Sequence, residues 1–195
     1  MTSFKQSIET LAVNGGQPVR TATLPYGKQA IDGADIREVV ECLQEPYLTT
    51  GPRVAKFERT VCDFTGAKFG VAVSNGTTAL HTAVKAANIT AGDEVIVSDM
   101  TFVASANAVL YEGATVVFAD VQKETMNIDV TKIEDLITPL TKAIIAVDMC
   151  GQPCDYDPLL KICREHNLIL IEDAAHSLGA SYKNRKVGNI ADLTC

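Results

Sequence analysis

Lys142-Ala143-Ile144-Ile145-Ala146-Val147-Asp148 is a run of Ala, Ile and Val that closes on a carboxylate. Its near-continuous apolar content is that of a strand covered on both faces. Phe69 to Ser74, Glu94 to Ser98, Ala114 to Ala119 and Leu168 to Glu172 share the character, so five buried strands are expected. The stretches between them are long enough for helical crossovers. The fold class is therefore α/β, a doubly wound and mostly parallel sheet. Ligands of such sheets bind beyond the carboxyl ends of the strands, which makes the turns after each strand the place to seek chemistry.

Upstream of the sheet, Asp32 stands where it caps a helix whose Ile36, Val39, Val40 and Leu43 fall at helical spacing, with Pro46 to end it. A second helix is expected from Pro52 through Val54, Phe57, Val61 and Phe64, closed by Gly66. There is no internal repeat and no low-complexity segment. The organisation expected is an N-terminal arm over residues 1–31 and one large domain over 32–195.

The 195 residues are 47% hydrophobic and 21% charged, the make-up of a globular domain with one substantial core. The net charge of -7 and the pI of about 4.9 lack the footprint of a nucleic-acid binder. The opening MTSFKQSIET has no apolar run suited to a signal peptide, and no stretch approaches the ~18 apolar residues of a membrane span, so a cytoplasmic location is expected. Cys42, Cys62, Cys150, Cys154, Cys163 and Cys195 are scattered and read as reduced, mostly buried thiols. Cys150 and Cys154 have the spacing of a zinc pair but no second Cys/His pair completes a site, and no metal is expected.

Three turns carry candidate chemistry. Ser74-Asn75-Gly76-Thr77-Thr78-Ala79-Leu80-His81 passes through Gly76 into a helix, where free amides of Thr77 and Thr78, nearby hydroxyls and the helix dipole suit a phosphate. The same turn also reads simply as a capped helix start. It lacks both the spaced glycines of a dinucleotide fold and the ending of a P-loop. After the second expected strand, Phe102 either stacks on a planar ring or fills core. The last strand runs Ile169-Leu170-Ile171-Glu172-Asp173-Ala174-Ala175-His176 and delivers a carboxylate and an imidazole at the same edge. Asp173 there needs a partner against desolvation, and a protonated pyridine nitrogen would serve, with His176 at the ring's phenolic oxygen or over its face. The plainer alternative is a loop-capping Asp and a surface His. A metal held by Asp173 and His176 has no third ligand nearby.

Taken in order, these motifs resemble the DegT/StrS family of pyridoxal phosphate-dependent aminotransferases acting on keto-sugar nucleotides, of fold type I. The resemblance runs from about Leu24 to Cys195. Besides the turns above it includes Pro25-Tyr26-Gly27, Tyr47-Leu48-Thr49-Thr50-Gly51-Pro52, Thr101-Phe102-Val103-Ala104-Ser105 and Gly151-Gln152-Pro153. The likeness is greatest to enzymes aminating C4 of a UDP-linked 4-keto-6-deoxy N-acetylhexosamine, while Val13 to Arg20 resembles aminocyclitol and aminohydroxybenzoate branches.

The resemblance implies pyridoxal 5'-phosphate as cofactor, with Gly76, Thr77 and Thr78 at its phosphate, Phe102 on its ring, Asp173 at its nitrogen and His176 beside it. Tyr26, Tyr47, Leu48 and Thr49 match positions that line the sugar-nucleotide pocket. It further implies a sugar-nucleotide substrate, an amino-acid donor such as glutamate, a homodimer and a role in amino-sugar or surface-polysaccharide synthesis.

By the same resemblance, the cofactor-anchoring lysine belongs just beyond Cys195, so no catalytic residue is expected within the chain. Here the chain reads as the incomplete large domain, without the small C-terminal one. Lys183 and Lys186, in an expected hairpin turn, are not substitutes. The alternatives are a non-catalytic short homologue serving as a dimerisation or binding module, and a sugar 3-dehydratase.

Overall fold

The computed structural model describes residues 11–25 and 27–195. Contacts group the chain into two units, Met1–Thr49 and Thr50–Cys195.

In the first unit a 3-10 turn at Ala12–Asn14 precedes helix α1, Gly33–Gln44. Asp32 caps α1 as expected. Its Oδ1 accepts from the Ala34 and Asp35 amides at 2.7 and 3.1 Å, and the Asp35 carboxylate accepts from the Asp32 amide at 2.8 Å. This reciprocal arrangement satisfies amides that a helix start otherwise leaves free.

The second unit opens with α2, Pro52–Thr65, which has Pro at its first turn and ends at Gly66 in the left-handed conformation (φ 85°). It then runs through α3 (Gly76–Ala86), β1 (Glu94–Ser98), α4 (Val103–Tyr111), β2 (Thr115–Ala119) and β3 (Thr141–Val147). After these come α5 (Tyr156–His166), β4 (Ile169–Asp173), the short pair β5 (Ser181–Tyr182) and β6 (Arg185–Lys186), and β7 (Leu193–Thr194). The main sheet has the order β2-β1-β3-β4-β7 with every pairing parallel.

Side chains alternate across this sheet and build a core on each face. Val95, Val97, Ala143, Ile145 and Ile171 pack with Leu80 and Val84 of α3 and Ala104, Ala108 and Val109 of α4. On the other face Ile96, Ile144, Ala146 and Leu170 pack with Tyr156, Leu159, Ile162 and Cys163 of α5. Each fully buried Ile or Leu contributes about 1.5–3 kcal/mol, so the two faces supply most of the drive to fold.

Two expectations need correction. Phe69 to Ser74 is not a strand. Gly70 lies against α2, where a Cβ would sit 2.9 Å from Cys62 Sγ, and the Ala72 amide donates to Glu58 Oε1 at 2.9 Å. Phe69, Val71 and Val73 face outward, Phe69 being 78% exposed. The connection from β2 to β3 is not an α-helical crossover either. It consists of an antiparallel bridge between Val121 and Ile128 followed by 3-10 turns at Val130–Lys132 and Glu134–Leu136. The cysteines are free, but only Cys154 and Cys163 are buried, and Cys150 is exposed.

Polar clamps fix the layers. Glu112, at the end of α4, meets His81 Nε2 and Lys85 Nζ of α3, each at 2.7 Å. The Lys85 ammonium and then the His81 ring hold the Glu112 carboxyl below the ordinary carboxylate range. A carboxylate depressed in the folded state contributes stability above its unfolded pKa and loses it as the pH falls through the folded value. Glu112→Gln is therefore expected to unfold at lower urea than the unchanged protein at neutral pH. The difference should begin to shrink as the pH falls to about 4.3, the unfolded value, and should close only below the depressed folded value, where both states take up the proton. Urea midpoints measured across that range check this.

The β5–β6 hairpin turns at Lys183 and Asn184, both at positive φ (45° and 65°), as a two-residue hairpin requires. It is clamped to the start of α5. Lys183 Nζ and Arg185 Nη2 meet the Asp157 carboxylate at 2.7 and 2.6 Å, and the Tyr182 hydroxyl donates to Asp155. No described helix is long and apolar enough to cross a membrane.

Candidate active site

Helix α4 starts where β1 ends, and α3 finishes shortly before β1 begins. Both helices therefore start at the carboxyl edge of the sheet, where β4 delivers Asp173.

At the start of α3, Asn75 is extended. Its Oδ1 accepts from the Thr78 amide at 2.9 Å and from the Thr78 hydroxyl at 3.0 Å, and the Ser74 and Thr78 hydroxyls lie 3.3 Å apart. The expectation of a free Thr78 amide is thus wrong, because the Asn75 side chain caps it. Among the described residues no group accepts from the remaining two amides of this helix start, those of Gly76 and Thr77. A Cβ built on Gly76 meets nothing within 4 Å. The open space, two aligned amides and the positive end of an 11-residue helix suit an anion.

Phe102 immediately precedes α4 with extended backbone and is 71% exposed. The alternative that it fills core is therefore excluded, and the ring face is available. Asp173 ends β4 at 6% exposure. Its Oδ2 accepts from the Ser105 hydroxyl at 2.6 Å, and its Oδ1 accepts from the Ala175 amide at a longer 3.3 Å. Ser105 lies on the first turn of α4, its amide donating to the Phe102 carbonyl at 3.1 Å. One serine thus joins the turn carrying the exposed ring to the strand end carrying the buried carboxylate.

Among the described residues no ion pair reaches Asp173. Its neighbour Cys195 has a thiol that burial pushes up to about 12, so it too is uncharged at neutral pH. A buried carboxylate surrounded by neutral donors suits a cationic partner. His176 is exposed on the turn after β4. Gly151 (φ +87°) packs against that turn, where a Cβ would sit 3.0 Å from the His176 carbonyl oxygen.

Tyr47, Leu48 and Thr49 follow α1 in the first unit and are exposed, and Tyr26 lies outside the described residues. The structure therefore unites Gly76, Thr77, Thr78, Phe102, Asp173 and His176 at one sheet edge of the second unit, while Tyr47, Leu48 and Thr49 belong to the first. Lys183 is paired with Asp157, and the Lys186 ammonium lies 3.7 Å above the Phe64 ring.

Sequence reasoning missed the polar frame beneath this edge. Asp148 follows β3 and is wholly buried. It accepts from the Cys154 amide at 2.9 Å, the Tyr156 hydroxyl at 2.6 Å and the Ser177 hydroxyl at 2.7 Å. It thereby ties the turn after β3 and the start of α5 to the loop bearing His176. Burial and the adjacent acids push the Tyr156 hydroxyl and the Cys154 thiol upward, so both remain donors. Glu172 points to the opposite face from Asp173, with Oε2 accepting from the Thr194 hydroxyl at 2.7 Å and the Gly188 amide at 3.2 Å. A cleft of about 480 Å³ lined by Glu134, Thr138, Lys142 and His166 lies at the other, amino-terminal edge, away from these groups.

Residues 29–195 match the DegT/DnrJ/EryC1/StrS aminotransferase family. The chain is 45% identical over 175 residues to the spore coat polysaccharide biosynthesis protein SpsC of Bacillus subtilis, covering 90% of this chain and 45% of that protein. It is 47% identical over 163 residues to GDP-perosamine synthase of Caulobacter vibrioides, covering 83% and 44%. It thus spans about half the length of the curated relatives it matches.

Among solved structures it superposes on Spr1654 of Streptococcus pneumoniae in its PLP form with a TM-score of 0.84, at 34% identity over 89% of this chain and 48% of that one. On PseC of Helicobacter pylori, an aminotransferase involved in the biosynthesis of pseudoaminic acid, the TM-score is 0.80, at 36% identity over 86% and 45%.

Proposed function

We propose, for a chain that belongs to the DegT/DnrJ/EryC1/StrS aminotransferase family, that it holds pyridoxal 5'-phosphate at the carboxyl edge of its parallel sheet. It does so as part of an enzyme moving an amino group from an amino acid, glutamate being the expected donor, to a keto-sugar nucleotide. The observation that carries this reading is Asp173, a buried carboxylate with no cation against it among the described residues, on the edge where the helix start at Gly76 suits a phosphate.

In this reading the Gly76 and Thr77 amides and the Thr77 hydroxyl grip the phosphate, and Asn75 holds Thr78 in place beside them. Phe102 covers one face of the ring, Asp173 holds a proton on the pyridine nitrogen, and His176 sits beside the ring. When bound, the cofactor supplies an electron sink and a carrier for the amino group. Tyr26, Tyr47, Leu48 and Thr49 line the sugar-nucleotide pocket.

A spore coat polysaccharide biosynthesis protein and an aminotransferase of pseudoaminic acid biosynthesis among its relatives support a role in making an amino sugar for a surface polysaccharide, and a cytoplasmic homodimer is the proposed assembly. In this reading neither Lys183, committed to Asp157, nor Lys186, committed to Phe64, serves as the covalent anchor.

Pyridoxamine 5'-phosphate needs no anchoring lysine, so the site can be tested on this chain directly. Calorimetric titration is expected to show one saturable site, and pyridoxamine lacking the phosphate should bind at least about 10-fold more weakly, as the loss of charge-assisted hydrogen bonds implies. Equal affinity for the two would remove the phosphate role of Gly76 and Thr77.

A further inference from the structure

We propose that Ser105, directed by Thr101, is the positioning residue that sets the plane of the Asp173 carboxylate and so keeps the ring nitrogen of the bound cofactor protonated. The inference rests on the cofactor reading above. Ser105 is wholly buried, and its hydroxyl lies 2.6 Å from Asp173 Oδ2 and 2.7 Å from Thr101 Oγ1. An ionised carboxylate only accepts, so the single Ser105 proton points to Asp173, and Thr101 must donate to Ser105. The chain therefore runs in one direction, from Thr101 to Ser105 to Asp173.

Each hydroxyl polarised in this way strengthens the next hydrogen bond. Thr101 precedes the extended cap residue Phe102 and Ser105 lies on the first turn of α4, so the chain's entry into the helix sets the approach of the two hydroxyls. The 2.6 Å bond fixes Oδ2. Oδ1 has only the longer bond from the Ala175 amide and is the oxygen left for a ring N–H. Without Ser105 the carboxylate is free to turn about its last bond, a torsion that is broad when nothing pins it.

Ser105 is thus distinct from the groups that touch the cofactor, because it acts through Asp173. Since Phe102 lies between Thr101 and Ser105, the same turn also sets the ring face against that carboxylate.

The test uses this chain with pyridoxamine 5'-phosphate labelled with 15N in the ring, read by calorimetry and by the 15N resonance, which separates a protonated from a neutral pyridine nitrogen. The unchanged chain is expected to bind the probe as the pyridinium. Ser105→Ala should bind about 10-fold more weakly with the resonance moved toward neutral pyridine, and Ser105→Thr should restore both readings. Thr101→Val, which leaves Ser105 in place, should shift both in the same direction by less, and it takes over the test if Ser105→Ala does not fold.

An unchanged chain that never shows the pyridinium overturns the cofactor reading, and this inference with it. A native pyridinium that persists unaltered, at native affinity, in folded Ser105→Ala or Thr101→Val overturns this inference alone.

Discussion

Asp148→Ala is expected to cost about 3–5 kcal/mol of unfolding free energy, because it strands two buried donors at about 1–3 kcal/mol each and leaves a third, the Ser177 hydroxyl, only a longer 3.4 Å bond to the Ala174 carbonyl. Those donors are the Cys154 amide, the Tyr156 hydroxyl and the Ser177 hydroxyl. They belong to the turn after β3, the start of α5 and the loop after β4, so one substitution loosens three segments of the carboxyl edge. Asp148→Asn keeps the shape and one accepting oxygen, while the Ser177 hydroxyl can turn to accept from the new amide. It is expected to cost only about 1 kcal/mol. Urea unfolding of the two variants measures the contrast. Equal and small losses would mean that water replaces the carboxylate and that the edge is framed in some other way.

The second large effect falls on ligand affinity. Asp173→Ala removes the proposed partner of the ring nitrogen while leaving the sheet intact, since Asp173 contributes no apolar packing. Truncating one member of a buried, hydrogen-bonded charge pair costs about 2–5 kcal/mol. Pyridoxamine 5'-phosphate is therefore expected to bind about 30-fold or more weakly, with inorganic phosphate binding unaltered. A parallel loss of phosphate affinity would place the damage in the fold rather than at the nitrogen.

Four of the five strands of the main sheet were legible to within a residue, and the short β7 was not among those expected. The run Glu94 to Ser98 is β1 residue for residue, and Lys142 to Asp148 lies one residue from β3. Phe69 to Ser74 has the same local chemistry and even a strand's alternation, with Gly70 and Ala72 inward. Yet strand formation is a matter of hydrogen-bonded neighbours, and that segment spends its Ala72 amide on the Glu58 side chain. A local pattern records which face is apolar and says nothing of whether another strand lies alongside.

Asp173 itself stood out in the sequence, because a carboxylate at the end of a buried apolar strand demands explanation. Its support did not. Ser105 sits in a helix of Ala and Val where a serine looks neutral, and only the Thr101 hydroxyl four residues earlier signalled a directed pair. Asp148 was visible as the polar end of a buried run. Its three donors come from positions 154, 156 and 177, brought together by packing that no spacing along the chain displays. The Thr78 amide was misread for a simpler reason, since Asn75 is a preferred capping residue and caps it.

The most direct test of where the cofactor sits is an amide map of this chain by 15N–1H correlation, with pyridoxamine 5'-phosphate added in steps. The expected result is a saturable set of shifts centred on Gly76, Thr77, Phe102 and Ala174, the amides that border the carboxyl edge. Shifts centred instead on Thr138, Lys142 and His166 at the opposite edge, or no saturable shifts at all, would contradict the site.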